Sequence, residues 1–273
     1  MGIDELPRCN LSRMKGIILA AGLGTRLHPL TVTSSKQLLP VFDKPMIYYP
    51  ISTLMLAGIR EILIISNPLD QSSFQKLLGG GNSFGVEFSY LTQPRPNGLA
   101  EALVIAKDFL DGGKSALILG DNLFYGPGLG RRLFDFQDVK GAQAFGYEVA
   151  NPSDYGVAIL DDSEKVVAIE EKPSVPKSKV AITGLYFFDN YAPDLAATLI
   201  PSPRGELEIV DLLKLYLDKG LLNLSLLPRG TTWLDMGTFD KLQDAATYVR
   251  IVQERTGTKV GDPLEISQVQ GWV

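Results

Sequence analysis

Residues 15–27 read KGIILAAGLGTRL, an apolar run that passes directly into a glycine loop. The run is rich in β-branched residues and ends at glycine, which is typical of a buried strand. Similar runs recur at 62–66, 86–91 and 116–120. Apolar residues at helical spacing separate them, at 46–56 and 99–109. Alternating strands and helices predict crossover units, and therefore an α/β fold with a Rossmann-like, mainly parallel mixed sheet flanked by helices.

The second half of the chain predicts a smaller β-rich insertion. Its strand-like runs lie close together and are joined by turn-rich stretches, at 143–149, 156–160, 166–170 and 182–188. Helical patterns return at 208–217 and 239–254. We find no repeat, low-complexity tract or linker, so the pattern favours one domain over residues 14–273. Residues 1–13 precede the first strand and are expected to be a loosely ordered extension.

Composition excludes several classes of protein. The 273 residues are 45% hydrophobic and 21% charged, which is typical of a globular protein. The net charge of −5 leaves no broad basic face for a nucleic-acid backbone. Cys9 is the single cysteine, so no internal disulfide can form. No apolar run reaches the ~18 residues of a membrane span. We therefore expect a cytoplasmic protein with neither nucleic acid nor membrane as partner.

The glycine loop is typical of an anion-binding turn, because glycines let successive N–H groups face a ligand. A dinucleotide fingerprint would need a third glycine where Leu27 stands, and no Walker A sequence is present. A plain strand-to-loop turn and a triphosphate-binding loop both remain possible. Arg26 and Lys36, ten residues apart around this loop, favour the second. Arg26 offers a planar guanidinium that can donate two hydrogen bonds to a phosphate, and Lys36 offers a compact ammonium charge.

Two aspartates are candidate magnesium ligands. Asp121 closes the run 116–120, and ligands of open parallel sheets lie at the carboxyl ends of strands. Asp235 lies in the sequence WLDMGT at 233–238. Magnesium needs only one or two carboxylates when phosphates and water complete its octahedron. Each aspartate could instead cap a following helix, and the residues alone leave both interpretations open.

Two further stretches hold candidate binding residues. Gln93 offers a donor and an acceptor to an imide edge such as that of thymine or uracil, and Gly98 permits close backbone approach. A proline-rich surface loop is the alternative for this stretch. The pair Glu171-Lys172 would ordinarily be a solvated strand end.

Three motifs carry a resemblance to a known family: LAAGLGTRL at 19–27, SKQLLP at 35–40 and KPMIYYP at 44–50. Together they resemble the sugar-1-phosphate nucleotidyltransferases, and the likeness runs from Lys15 to about residues 233–240. It implies transfer of a nucleotidyl group from dTTP to glucose 1-phosphate, giving dTDP-glucose and pyrophosphate, with Mg²⁺ as cofactor. The sugar phosphate would attack the α-phosphorus directly.

Two alternatives stay open beside this activity. A uridylyltransferase using UTP would handle a nucleotide that differs by one methyl group and one hydroxyl, and a pocket that rejects one methyl group gains only about 1–3 kcal/mol. A non-catalytic regulatory subunit would bind nucleotide sugars without turnover. Such subunits typically lose the loop arginine or a metal aspartate, and both are present here.

The resemblance also implies roles for individual residues. The expected catalytic residues are Arg26, Lys36, Asp121, Lys172 and Asp235, of which the two aspartates hold the metal. The nucleotide would be bound by Leu19, Ala21, Gly22, Gly24, Thr25, Arg26, Gln37, Gln93, Gly98 and Asp121. The sugar phosphate would be bound by Tyr155, Gly156, Glu171, Lys172, Ile182, Tyr186, Arg204 and Trp233. Gln93 and Gly98 would read the base, while Glu171 would bind sugar hydroxyls and Lys172 the sugar phosphate.

The resemblance divides the domain into a nucleotide-binding part (about 14–140), a sugar-binding part (about 141–240) and a C-terminal helical part (about 238–273). It implies a homo-oligomer, a dimer or tetramer. Met236 stands where the family usually has threonine, from which we expect adjusted packing and retained metal binding. Family members of this type usually continue further beyond the last helix. Weakened or absent feedback inhibition by dTDP-rhamnose is therefore expected.

Overall fold

The computed structural model describes residues 14–273. The strands are β1 (Lys15–Ala20), β2 (Pro40–Val41), β3 (Lys44–Pro45), β4 (Glu61–Ser66), β5 (Glu87–Thr92), β6 (Ser115–Leu119), β7 (Asn122–Tyr125), β8 (Ala142–Glu148), β9 (Gly156–Leu160), β10 (Val166–Glu171), β11 (Val180–Phe188), β12 (Leu222–Leu226) and β13 (Thr232–Asp235). The helices are α1 (Tyr48–Leu56), α2 (Gln71–Leu78), α3 (Glu101–Ile105), α4 (Lys107–Leu110), α5 (Leu129–Phe134), α6 (Ala192–Ala197), α7 (Ile209–Asp218), α8 (Phe239–Thr256) and α9 (Pro263–Val269). The extension predicted at residues 1–13 lies outside the described residues.

The described chain divides into two compact units. Unit 1 comprises residues 14–96, 118–137 and 230–273, and unit 2 comprises residues 97–117 and 138–229. The predicted single domain and its three parts stay a prediction beside this division.

Unit 1 is built on parallel strands. β1 pairs in parallel with β4, and β4 pairs in parallel with β5. Ile17 and Ile18 of β1 are fully buried, as are residues 62–65 of β4. Strands buried on both faces read as continuous apolar runs, which explains the sequence pattern. The predicted α/β fold with a mainly parallel sheet and flanking helices is confirmed.

A second strand pair of unit 1 joins distant parts of the chain. β13 runs antiparallel to β7, with Asp235 opposite Asn122. Met236 follows directly and is fully buried in a cluster with Tyr49, Leu123 and Val249. The side chain of Thr238 caps α8, which begins one residue later.

Unit 2 is mostly antiparallel. β11 lies between β8 and β9, β10 pairs with β9, and β12 joins the outer side of β8 in parallel. All nine residues of β11 are buried. Phe145 packs edge-on against Phe187, and Phe188 packs on Tyr216 of α7. The predicted β-rich second half is therefore present.

Three local interpretations need correction. The helix predicted at 99–109 is divided into α3 and α4 by a break at Ala106, and it ends at Asp111 in the left-handed region. Asp121 caps no helix, because it lies in the two-residue turn between β6 and β7. Asp235 also caps no helix, since Thr238 takes that place for α8.

Among residues 14–273, no helix combines the length and the apolar character that crossing a lipid bilayer requires.

Candidate functional site

The glycine loop follows β1 in unit 1. Gly24 has a φ of 62°, a conformation that favours glycine, and its carbonyl accepts a 2.8 Å hydrogen bond from the Thr31 hydroxyl. Gly22 is exposed, and Lys36 Nζ lies 3.9 Å from the point where a Cβ of Gly22 would stand. The Lys36 ammonium therefore reaches beside the exposed backbone of the loop. Thr25 and Arg26 follow in a single 3₁₀ turn.

Lys36 forms an ion pair with Asp121. Both side chains are largely buried, at 14% and 13% exposure. Burial by itself raises the pKa of Asp121, but the Lys36 charge and hydrogen bonds from Lys36 and Asn122 outweigh it and lower that pKa below 3.8. Asp121 is therefore ionised at neutral pH, as a cation ligand must be.

A hydrogen-bonded chain orients Asp121 from behind. The indole Nε1 of Trp233 donates to Oδ1 of Asn122 at 2.6 Å, and Nδ2 of Asn122 donates to Oδ1 of Asp121 at 2.9 Å. Trp233 and Asn122 are both buried. A carboxylate held in this way keeps one orientation while its outer oxygen faces Lys36.

The second aspartate lies on the neighbouring backbone. The N–H of Met236 donates to the carbonyl of Asp121 at 2.9 Å. Asp235 precedes Met236, so its backbone lies next to that of Asp121. Lys241 Nζ lies 2.9 Å from Oδ2 of Asp235. A Cβ placed on Gly237 would lie 2.9 Å from the Arg26 guanidinium and 3.8 Å from Asp235 Oδ2. Arg26, Lys36, Asp121 and Asp235 are thus brought together within unit 1.

The donor set of this cluster fits magnesium. Both candidate ligands are carboxylates, the hard oxygen donors that Mg²⁺ takes in ones or twos before phosphates and water complete its shell. Residues 14–273 hold no group of three or more acidic, histidine or cysteine side chains that could bind a metal ion. A divalent ion at Asp121 and Asp235 would therefore take the rest of its coordination from water and, when substrate is bound, from phosphate oxygens.

The two glutamines predicted to contact the nucleotide are both buried in unit 1. Gln37 accepts a 2.6 Å hydrogen bond from the Ser35 hydroxyl, and its Cγ lies 2.9 Å from the point where a Cβ of Gly120 would stand. Gln93 directly follows β5, and its N–H donates to the Ser66 carbonyl at 2.9 Å. Leu19 is the last residue but one of β1, and the N–H of Gly120 donates to the Leu19 carbonyl at 2.9 Å. Ala21 is buried at the start of the loop.

The predicted sugar residues form a cluster in unit 2. Glu171 lies opposite Gly156 in the β9–β10 pair. A Cβ on Gly156 would lie 3.5 Å from Glu171 Oε2 and 3.8 Å from Ile182 Cδ1, so these three residues share one face. Tyr186 is buried nearby, and its pKa is raised by burial and by the negative charge of Glu171. The N–H of Lys172 donates to the Tyr155 carbonyl at 3.1 Å.

Arg204 joins this cluster through two glutamates. Its Nη2 lies 3.2 Å from Glu171 Oε1 and 2.8 Å from Glu208 Oε1. Glu208 is buried and also accepts a 2.7 Å hydrogen bond from the Ser202 hydroxyl. Burial raises the pKa of Glu171, the Lys172 and Arg204 charges lower it, and Glu208 raises it again, with a net rise above 4.5. Glu208 therefore fixes the guanidinium, while Glu171 presents Oε2, beside Gly156, to a ligand.

Gly98 has a structural reason to be glycine. Its φ is 106°, and a Cβ there would lie 2.4 Å from the Leu207 carbonyl oxygen. The close backbone approach in the structure is thus to Leu207, in the segment between Arg204 and Glu208.

A sequence profile described as Nucleotidyl transferase matches residues 15–250. The chain belongs to the nucleotidyl transferase family. It is 54% identical to the glucose-1-phosphate thymidylyltransferase of Mycolicibacterium smegmatis over 260 residues, which cover 95% of this chain and 90% of that one. The glucose-1-phosphate thymidylyltransferase of Mycobacterium tuberculosis is 52% identical over the same shares of the two chains. The resemblance drawn from the sequence motifs is confirmed, and the chain is an enzyme of the nucleotidyltransferase class.

Two solved structures of similar proteins share the fold of this chain. A putative glucose-1-phosphate thymidylyltransferase from Bacillus anthracis, in complex with a sucrose, superposes with a TM-score of 0.81 at 39% identity, over 87% of this chain and 95% of that one. A UDP-glucose pyrophosphorylase complexed with UDP-glucose has a TM-score of 0.78 at 23% identity, over 88% and 99% of the two chains. At that identity the second likeness shows the fold alone.

Sequence reasoning assigned no role to three residues that the structure connects to the candidate site. Asn122 and Glu208 are buried polar side chains that hold Asp121 and Arg204, and Lys241 pairs with Asp235. Only Asn122, in the GDN sequence beside Asp121, carried a local signal. Glu208 and Lys241 contact residues only four to six positions away, but the sequence pattern does not show which of these side chains pair.

Proposed function

We propose that the chain transfers the thymidylyl group of dTTP to glucose 1-phosphate, releasing pyrophosphate and forming dTDP-glucose, with Mg²⁺ as cofactor. The hydrogen bond from Met236 to Asp121 is the observation that carries this proposal, because it sets Asp121 and Asp235 on adjacent backbone beside Arg26 and Lys36. Two carboxylates next to two phosphate-binding cations are the parts that a metal–triphosphate complex needs.

In this proposal unit 1 binds the nucleotide. The N–H groups of the loop at Gly22 and Gly24 face the triphosphate, and Arg26 and Lys36 bind its charged oxygens. Gln93 presents a donor and an acceptor to the thymine edge, and Gln37 contacts the deoxyribose. Asp121 and Asp235 would hold the magnesium ion, which, when bound, neutralises phosphate charge and orients the oxygens of the triphosphate.

Unit 2 binds the acceptor sugar. Glu171 accepts hydrogen bonds from sugar hydroxyls, and Gly156 and Ile182 give the ring an apolar contact beside it. Lys172 binds the phosphate, and Arg204, held by Glu208, contributes a second cation. Tyr155 and Tyr186 complete the set in unit 2.

The reaction needs alignment and charge neutralisation. A phosphate oxygen of glucose 1-phosphate attacks the α-phosphorus of dTTP, and the bond to the bridging oxygen of pyrophosphate breaks. The attacking oxygen is already an anion, so no side chain has to remove a proton. Arg26 and Lys36 stabilise the charge that gathers on the departing pyrophosphate, a contribution of about 3–4 kcal/mol for a well-placed donor.

Pyrophosphate release tests the activity directly. The full chain is incubated with glucose 1-phosphate, Mg²⁺ and each of dTTP, UTP, CTP, GTP and ATP, and the sugar nucleotide is identified by chromatography. We expect dTTP to be the preferred substrate and EDTA to abolish turnover. Faster turnover with UTP would identify a uridylyltransferase, while nucleotide binding without turnover would identify a regulatory subunit.

The stereochemistry at phosphorus tests the direct attack. A single displacement on the Sp isomer of dTTPαS inverts the configuration at the α-phosphorus. Retention would reveal a covalent nucleotidyl-enzyme and exclude direct attack by the sugar phosphate.

We also propose a homo-oligomer, a dimer or tetramer, located in the cytoplasm, on the strength of the family resemblance. Light scattering coupled to size exclusion measures the mass in solution, and a monomer at micromolar concentration would contradict the first part. Cell fractionation tests the second.

A further inference from the structure

Lys241 is the third cation of the unit 1 cluster and has no part in the proposed chemistry. It lies in the first turn of α8, where Thr238 caps the helix and accepts from the N–H of Lys241. Its ammonium lies 2.9 Å from Oδ2 of Asp235, the carboxylate proposed to bind magnesium.

The charges of this cluster place a cation on each carboxylate. Lys36 pairs with Asp121 and Lys241 pairs with Asp235, while the Arg26 guanidinium lies beside Gly237 next to Asp235. A divalent ion bound by Asp235 at the ~2.1 Å of a magnesium bond would meet the Lys241 ammonium on the same side chain. Like charges at that separation repel, so the ammonium and the ion each weaken the contact that the other makes with Asp235.

Lys36 and Lys241 differ in how easily each can move away from its carboxylate. Lys36 is 14% exposed and belongs to the 3₁₀ turn beside the glycine loop. Lys241 is 31% exposed and extends a flexible four-carbon chain from the surface of a helix. Its ammonium can therefore turn into solvent without any change in the backbone.

We propose that Lys241 is a tethered cation that competes with the divalent ion for Asp235 and thereby sets the metal concentration at which the site fills. This inference rests on the proposed function, because it takes Asp235 as a metal ligand. In the absence of metal the ammonium holds Asp235 in place, and it turns away as the ion arrives. Lys241 is thus a positioning residue that tunes metal affinity.

Manganese binding to the full-length protein tests the inference without turnover. Free Mn²⁺ is measured by electron paramagnetic resonance during titration of wild type, Lys241→Met and Lys241→Arg, without nucleotide. We expect Lys241→Met to bind Mn²⁺ about fivefold more tightly, because a partly exposed ion pair is worth at most about that factor. Lys241→Arg keeps the charge and should restore the wild-type affinity. If Lys241→Met fails to fold, Lys241→Gln gives the same measurement.

Arg250→Met is the matched control. Arg250 lies on the same helix and forms an exposed 3.0 Å ion pair with Glu254, so its removal changes the net charge equally without touching Asp235. We expect its Mn²⁺ affinity to equal that of the wild type.

Equal affinities of wild type and Lys241→Met would overturn the inference, and so would tighter binding in Arg250→Met by the same factor. A higher KM for dTTP in Lys241→Met with unchanged metal binding would instead make Lys241 a phosphate contact and also overturn it. The Mn²⁺ assay can fail separately from the proposed function. A wild-type protein that binds Mn²⁺ but forms no dTDP-glucose would contradict the proposed function, and the effect of Lys241 on Mn²⁺ affinity could still be measured.

Discussion

Trp233 donates its indole N–H to Asn122, a residue 111 positions earlier in the chain, over 2.6 Å. Because Asn122 in turn donates to Asp121, a tryptophan on β13 orients a carboxylate that follows β6. The resemblance predicted this tryptophan as one of the residues that bind the sugar phosphate. Its hydrogen bond gives it a second task, as a support for the proposed metal ligand.

Trp233→Phe should lower kcat more than it raises the KM for glucose 1-phosphate. The ring still fills its buried position, but the hydrogen bond to Asn122 is lost, and supports of this kind are typically worth about 10–100-fold in activity or metal affinity. Steady-state kinetics measure the changes in kcat and in the KM for glucose 1-phosphate separately. Asn122→Ala should show the same defect, and the double variant should be little worse than either single one. Additive losses would mean that the two residues act separately.

Arg26→Ala should reduce kcat by about 10²–10³-fold while the fold survives, because the guanidinium is exposed in the described chain and is proposed to stabilise the departing pyrophosphate. Turnover by pyrophosphate release and the melting temperature check the two halves of this expectation. Arg132→Ala, an exposed arginine on α5, is the control and should be fully active. Near-normal turnover in Arg26→Ala would refute its role.

Asp121→Asn should abolish metal-dependent turnover and weaken Mn²⁺ binding. The variant also removes the charge partner of Lys36, so we expect lower stability as well, because a largely buried ammonium is left without its carboxylate. Mn²⁺ titration and thermal unfolding measure both effects. The exposed Asp244→Asn on α8 controls for the change of charge. Wild-type Mn²⁺ affinity in Asp121→Asn would remove Asp121 from the proposed metal site.

Glu171→Gln should raise the KM for glucose 1-phosphate about tenfold and leave the KM for dTTP unchanged, because a charged acceptor for sugar hydroxyls becomes a neutral one. The neighbouring Glu170 offers a matched control. It is paired with Lys177 at 3.0 Å, and adjacent strand residues point to opposite faces. Glu170→Gln should therefore leave both constants near wild type. A shift shared by both variants would indicate a general effect of charge.

Asp43→Ala should destabilise the protein by about 2 kcal/mol at neutral pH. Asp43 lies in the turn between β2 and β3, paired with Lys44 at 2.5 Å and with Lys259 at 2.8 Å. Burial by itself raises the pKa of Asp43, but hydrogen bonds from Lys259, Lys44 and Gln253 outweigh it and lower that pKa well below 3.8. The turn is thereby tied to Gln253 of α8 and to Lys259, which follows that helix.

The lowered pKa of Asp43 determines how the stability that this residue contributes changes with pH. A carboxyl group with a lower pKa in the folded state stabilises the protein above the unfolded pKa, near 3.8, and loses this contribution as pH falls through the folded value. Denaturant unfolding should therefore show a constant difference between wild type and Asp43→Ala from pH 7 to about 5, and a shrinking difference below about 4. A difference independent of pH would mean that the charge of Asp43 is not what stabilises the turn.

Much of the fold was predictable because its signals are local. The apolar runs of β1 and β4 announce buried parallel strands, and the helix at 239–254 appears as α8 with two residues added. The helix at 99–109 was wrong in its continuity, since apolar spacing alone does not reveal the break at Ala106. Local spacing also could not decide whether Asp121 and Asp235 cap helices, because the answer depends on the pairing of β7 with β13.

The candidate site was predictable where a motif carries it and not where tertiary packing does. Arg26, Lys36, Asp121 and Asp235 were candidates on the residues alone, the resemblance gave them their roles, and the structure brings them together in unit 1. Glu208 was missed because a glutamate at the start of a helix is ordinarily a solvated residue, whereas here it is buried against Arg204 and Ser202. Lys241 was missed for the same reason, as a lysine on a helix surface.

Unit 1 is assembled from three separate stretches of chain, and the aspartates come from the second and the third. During synthesis the ribosome must therefore finish everything up to Asp235 before the two carboxylates can meet. A nascent chain halted after β7 would contain the glycine loop, Lys36 and Asp121, but it would lack Asp235 and could not bind a divalent ion with two carboxylates. Stalled intermediates of increasing length would thus acquire manganese binding in a single late step, when β13 emerges and docks.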